Sequence, residues 1–214
     1  MIMKLVFGTG GRFGKLNFRT AQRLIDIALK NGINSYDTGF TYGNFKSQPL
    51  LAKCLEKRIK DNRKSLYLST KCPPISADYI NDAVQQSIET FKCDYLDCFH
   101  LWGGTIETLE NKKILSILNA FTKSKKIKTF SISTQDLRTL EKISTGNFVE
   151  IGAMMIDYNL LKQNRLPFIK QCKSNNIKIF ASTVLCQGLL VESIFEIYFR
   201  TFSPFYVGRA LIKK

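Results

Sequence analysis

Four side chains in this sequence are suited to handling a proton beside a reacting oxygen. They are the carboxylate of Asp37, the phenol of Tyr42, the ammonium of Lys71 and the imidazole of His100, the only histidine. Each is preceded by a short run that reads as a strand. Asp37 follows Gly32-Ile33-Asn34-Ser35-Tyr36, and Tyr42 comes next in a loop bounded by Gly39 and Gly43. Lys71 ends the run Ser65-Leu66-Tyr67-Leu68-Ser69-Thr70, and His100 ends the run Tyr95-Leu96-Asp97-Cys98-Phe99. In a parallel βα array all strand C-termini lie on one face, where active sites form. The four groups are then expected to converge although they lie far apart in sequence.

The elements that must position them alternate regularly. Strand 4–8 leads into the loop Thr9-Gly10-Gly11-Arg12-Phe13-Gly14, whose glycines allow backbone to approach a ligand. A helix from about Phe18 to Lys30 places Leu24, Ile27 and Ala28 on one face and stops at Asn31-Gly32. Strand 33–36 follows, then a helix from about Ser47 to Lys60 with Leu50, Leu51, Cys54, Leu55 and Ile59 inward. After strand 66–70, Pro73-Pro74 delays the next helix until Ser76, which can cap residues 77–92 through Ile80, Val84, Ile88 and Phe91. The pattern continues as strand 95–99, helix 107–122, strand 127–132, a short helix to about Ile143 and a turn at Gly146-Asn147. Strand 151–156, a helix from about Pro167 to Ser174, strand 177–181, a loop to Gly188 and helix 189–200 complete it.

Strands and helices alternating at ~30-residue spacing predict βαβ units and a parallel sheet. The fold class is α/β, an incomplete (β/α) TIM-type barrel of about seven strands in one domain spanning residues 1–214. An open doubly wound sheet is less well supported, because the first loop has Phe13 where the GxGxxG fingerprint needs glycine.

The formal net charge is +15. No long basic block accompanies it, so the lysines read as solvated helix faces rather than a nucleic-acid surface. The densest cluster, Lys123-Ser124-Lys125-Lys126-Ile127-Lys128, precedes a strand on the side away from the proposed site. No apolar run has the ~18–20 residues of a membrane span, and the start is too short for a signal peptide, so a cytoplasmic location is expected. Six scattered cysteines lack the close pairs of a zinc site, and no metal is expected. Cys72 adjoins Lys71, whose charge could lower the thiol's pKa, but an ordinary loop cysteine is the preferred reading.

The motifs at the strand ends resemble the aldo-keto reductase family. They are Gly8-Thr9-Gly10, Asp37-Thr38-Gly39 with Tyr42-Gly43, Ser69-Thr70-Lys71 and His100-Leu101-Trp102. Ser133, Tyr158-Asn159-Leu160-Leu161 and Gln187-Gly188-Leu189-Leu190 continue the match to about residue 190. The resemblance implies reduction of an aldehyde or ketone by NADPH, with NADH as the alternative. It makes Asp37, Tyr42, Lys71 and His100 the catalytic set. Tyr42 would give the proton, Lys71 held charged by Asp37 would stabilise the phenolate, and His100 would hold the carbonyl oxygen. Cofactor contacts would come from Thr9, Gly10, Asp37, Ser133, Thr134 and Ser182.

Three positions depart from the family pattern: Thr134 replaces Asn, Met155 replaces Gln, and Ser182 stands where an aromatic residue stacks on nicotinamide. The sequence ends at Lys214, where the family continues for roughly another strand and a helix or two. A homo-oligomer covering the open edge, a non-catalytic cofactor-binding or regulatory relative, and a decayed fragment are the alternatives this raises. The substrate partner is a small carbonyl compound. Arg12, Phe13, Phe45 and Trp102 are candidates for its pocket, with core packing the competing role for the aromatics. No membrane or nucleic-acid partner is expected.

Overall fold

The computed structural model describes residues 4–146, 151–188 and 190–191. Parallel strands alternate with helices along the chain, the pattern of an incomplete (β/α) barrel with seven strands among the described residues. Two units are distinguished, Met1–Thr134 and Gln135–Lys214.

The first unit is a parallel sheet of five strands in chain order: β1 (Phe7–Gly8), β2 (Ser35–Asp37), β3 (Tyr67–Cys72), β4 (Cys98–Trp102) and β5 (Phe130–Ser133). Between the strands run α1 (Gly10–Phe13), α2 (Phe18–Lys30), α3 (Ser47–Asn62), α4 (Ala77–Phe91), α5 (Ile106–Glu110) and α6 (Lys112–Lys123). Successive strand residues point to opposite faces. One face therefore carries Tyr67, Ser69 and Lys71 from β3, Cys98, His100 and Trp102 from β4, and Ser131 and Ser133 from β5. The other carries Leu68, Thr70, Phe99, Leu101, Phe130 and Ile132, all buried. On that side Thr70 donates to Gln48 Oε1 at 2.7 Å, and the Gln48 amide donates to Ser87 at 3.0 Å. This buried network ties α3 and α4 to β3.

Local chemistry sets the helix ends. The Asn17 side chain accepts from the Thr20 amide at 2.9 Å to start α2, and Ser76 accepts from the Tyr79 amide at 3.1 Å to start α4. The helix expected over 107–122 is two helices. Asn111 leaves helical conformation at ψ 103 and its side chain accepts from the amides of Lys113 and Ile114, so it caps α6 instead of continuing α5. The face expected for α2 also differs. Ala21, Ile25 and Ala28 are buried, whereas Leu24 and Ile27 are exposed. The loop expected at 9–14 is mostly the short helix α1.

At the other end of the strands, Asp97 is buried and accepts from Arg63 Nη2, Lys128 Nζ and the Leu68 amide at 2.8, 2.8 and 2.9 Å. Arg63 and Lys128 both lie over the Tyr95 ring, so the dense basic stretch contributes Lys128 to a structural cluster. Replacing Asp97 with Ala leaves the Arg63 guanidinium without its counter-charge and a strand amide unsatisfied. Urea denaturation is expected to show a loss of about 3 kcal/mol. An unchanged midpoint would remove the cluster from the fold's stability.

The second unit pairs β6 (Ala153–Asp157) and β7 (Lys178–Ser182) in parallel, with α7 (Leu137–Ser144) and α8 (Leu166–Ser174). Asp136 caps α7 by accepting from the Thr139 amide at 2.9 Å. Ser144 donates to Gln171 at 2.8 Å, and the Asn175 amide donates to the Ser144 carbonyl at 2.7 Å, which joins the two helices. Gly146 has φ +80 as a turn requires; Asn147 lies outside the described residues. So does the helix expected over 189–200, apart from Leu190 and Val191, which are in a turn, and so does the segment from Ser203 to Arg209.

Candidate active site

Register brings the proton-handling groups together in the first unit. Gly8 pairs with Asp37, Asp37 with Ser69, and Lys71 with His100. Lys71 and His100 were expected just beyond their strands; both lie within them, since β3 runs on to Cys72 and β4 to Trp102. Being inside the ladder fixes their backbones and aims both side chains from the same face as Ser69.

Lys71 is buried, with an exposure of 4%. Its ammonium is held by the Asp37 carboxylate and donates to the Thr38 carbonyl at 2.8 Å. Its Nζ also lies 4.9 Å from the centroid of the Tyr42 ring. Burial alone would push the ammonium's pKa down. The charges of Asp37 and Tyr42 outweigh it and hold the pKa above the usual lysine value. Asp37 Oδ1 accepts from the Ser69 hydroxyl at 2.8 Å and lies 3.5 Å from His100 Nε2. Tyr42, Lys71, Asp37 and His100 thus form one connected set. Ser69 was read only as part of a motif; its role as a carboxylate partner depends on register, which spacing alone does not give.

One glycine makes room for the phenol, and a second lets the loop pack against Ser47 and the Gly11 backbone. A Cβ on Gly39 would stand 2.8 Å from the Tyr42 ring, so that ring rests against bare backbone. Gly43 has φ +61, and a Cβ there would meet Ser47 Oγ at 2.7 Å. The Trp102 ring meets the Tyr42 ring edge-on with centroids 5.9 Å apart and is itself 45% exposed. Phe45 is exposed and packs edge-on against Phe40. Phe13 belongs to the core against Phe7 and is not available to a pocket, whereas Arg12 is exposed.

His100 is fully buried, and burial pushes its pKa down to about 4; the Lys71 charge acts in the same direction and Asp37 opposes both. It is neutral at neutral pH. An unfolded chain's histidine takes up its proton near ~6.5. Between those values the unfolded chain binds more protons, so stability falls as pH drops from about 6.5 to about 4. The loss is expected to approach about 3 kcal/mol. Denaturant midpoints over that range should show it, and His100→Gln should lack that part of the slope. An identical slope in the variant would assign the effect to other groups.

Cys72 is an ordinary cysteine and not an activated one, although it ends β3 and does not lie in a loop. It points away from Lys71, and burial pushes its thiol up to about 12. None of the six cysteines is in a disulfide.

The residues named for a cofactor divide between the units. At the end of β1 the Thr9 amide donates to the Asp37 carbonyl at 3.0 Å and its hydroxyl donates to Thr38 at 2.9 Å. Gly10 has φ +53. At the end of β5, Thr134 is buried. Ser133 is half-buried, and its hydroxyl has no hydrogen-bond partner among the described residues. That unused donor and acceptor, opposite Trp102 in the ladder, fits the carboxamide of a nicotinamide. In the second unit Ser182 donates to Asp157 Oδ1 at 2.7 Å, and Met155 is buried in β6.

The model of the Aldo/keto reductase family matches residues 4–198. Among curated proteins, the chain is 26% identical over 189 residues to the uncharacterized oxidoreductase YqkF of Bacillus subtilis, covering 80% of this chain and 58% of that protein. It is 24% identical over 196 residues to L-galactose dehydrogenase of Arabidopsis thaliana, covering 86% and 60%. The chain therefore spans about three-fifths of the length of these relatives. Among solved structures, the holo form of the aldo-keto reductase AKR11C1 from Bacillus halodurans superposes with a TM-score of 0.76 at 22% identity, covering 89% of this chain and 65% of that one. An aldo/keto reductase from Klebsiella pneumoniae in complex with NADP and acetate gives 0.71 at 18% identity, covering 91% and 71%.

Proposed function

The chain belongs to the aldo/keto reductase family, and from that premise we propose that it reduces an aldehyde or ketone to an alcohol, with NADPH as cofactor and Tyr42 as proton donor. The observation that carries this reading is the connected set Tyr42–Lys71–Asp37–His100 on one face of a parallel sheet. Such a set has the parts that protonation of a carbonyl oxygen requires, and structural accident gives no reason for them to meet. The complexes of similar structures with NADP or NADPH support the choice of cofactor.

The nicotinamide, when bound, supplies the hydride for the carbonyl carbon. Ser133 would hold its carboxamide, and Thr9, Gly10, Asp37 and Thr134 of the same unit would contribute further contacts. The chain's own residues handle the oxygen. Tyr42 donates its proton as negative charge develops there. Lys71, kept charged by Asp37, stabilises the phenolate left behind. His100, neutral and buried, orients the oxygen against Tyr42. Trp102 and Phe45 offer apolar surface to the substrate's remaining atoms, which favours a carbonyl compound with an aromatic or other apolar body.

The test is cofactor consumption by purified protein with a panel of small aldehydes, checked against alcohol formed. Equal amounts of alcohol and oxidised NADPH are expected. Cofactor binding without alcohol would leave a binding protein on the same scaffold.

A further inference from the structure

Ser131 is a fully buried serine in β5 whose position opposite His100 in the ladder no motif explains. Its hydroxyl makes a short hydrogen bond with His100 Nδ1. Around the ring stand Cys98 Sγ, 3.8 Å from Nδ1, and Asp37 Oδ1, 3.5 Å from Nε2, with the Lys71 ammonium beyond Asp37. A neutral imidazole carries one proton, and which nitrogen holds it is set by the partners of each.

The two tautomers differ in how they dispose of two buried protons, one on the ring and one on Ser131. With the proton on Nδ1, that nitrogen donates to Ser131. The serine's own proton then has no acceptor among its described partners, at a cost of about 1–3 kcal/mol in a dry core. The Nε2 lone pair would also face the Asp37 carboxylate. With the proton on Nε2, the Ser131 hydroxyl donates to Nδ1, and Nε2–H faces a carboxylate. The serine proton then has its acceptor, and the ring proton sits in the field of the carboxylate without being tied up by it, since 3.5 Å is long for a hydrogen bond.

We infer that Ser131 is a positioning residue that holds His100 in its Nε2–H form, so that the imidazole offers a substrate's carbonyl oxygen a donor and not a lone pair. This inference rests on the reductase reading for its consequence in turnover, but not for the tautomer itself. A lone pair facing the oxygen would repel the charge that builds there during reduction; a donor stabilises it. The hydroxyl acts from the side of the ring away from the Asp37 carboxylate, so it need not touch substrate.

The chain's single histidine makes the test direct. In untagged protein with labelled histidine, nitrogen–proton correlation spectra contain one imidazole. At neutral pH the wild type is expected to give the Nε2–H pattern, with Nδ1 unprotonated. Ser131→Ala should lose that single tautomer and lower kcat about tenfold with little change in KM, the loss of one modest hydrogen bond's worth of bias. Ser131→Thr, which keeps the hydroxyl, should restore both. A wild-type spectrum with Nδ1–H would overturn the inference without any variant. An unchanged tautomer in folded Ser131→Ala would do the same. If the wild type shows Nε2–H but no carbonyl compound is reduced, the reductase reading fails while the tautomer assignment stands.

Discussion

Replacing Tyr42 with Phe is expected to lower carbonyl reduction by about 10³-fold or more while NADPH still binds. The substitution removes one oxygen and keeps the ring, so the edge-on contact with Trp102 and the packing against Gly39 survive. What disappears is the hydroxyl of the ring beside the Lys71 ammonium, the group proposed to give up the proton. Steady-state rates and cofactor titration on the same preparation separate the two effects. A variant retaining wild-type rates would show that another group, or water, protonates the oxygen. A variant that neither binds nor reduces would point to misfolding and call for comparison of denaturation midpoints.

The second large effect is expected at Lys71. Lys71→Met keeps much of the side chain's length but leaves the Asp37 carboxylate, 13% exposed, without its cation. Breaking a buried pair from one side costs about 3–5 kcal/mol, because the remaining charge is left in a poor solvent. Activity should fall by about 10²-fold or more, since the phenolate loses its counter-charge. Adding Asp37→Asn to Lys71→Met should recover much of the stability, because no charge then remains unpaired, but none of the activity. Recovery of turnover in the double variant would contradict the role given to the ammonium. Absence of any stability loss in the single variant would mean that Asp37 is satisfied by Ser69 and His100 alone.

The parts of this arrangement that the sequence revealed share a physical cause. Asp37, Lys71 and His100 each interrupt or end an apolar run, and an ionisable group placed in such a run needs partners. The alternation of strands and helices was visible because apolar spacing changes period between them. What was hidden depends on relations between strands. Ser69 and Ser131 look like ordinary strand serines until parallel register sets them beside Asp37 and His100. Strand ends were misplaced by a few residues for a similar reason: Lys71 and Trp102 are polar or exposed in type, yet the ladder extends through them. The break at Asn111 was legible in principle, since asparagine competes with the helix backbone for its amides, but the flanking apolar residues masked it. On α2, large side chains suggested the buried face, whereas the buried stripe is Ala21, Ile25 and Ala28.

The central claim is that this set of four side chains serves hydride reduction of a carbonyl group. NADPH deuterated at its hydride-donating carbon, incubated with an aldehyde and the protein, tests it by mass spectrometry of the product. The account predicts an alcohol carrying one deuterium on the former carbonyl carbon, formed by the wild type and not by Tyr42→Phe. Deuterium absent from the alcohol, or present equally with both proteins, would contradict it.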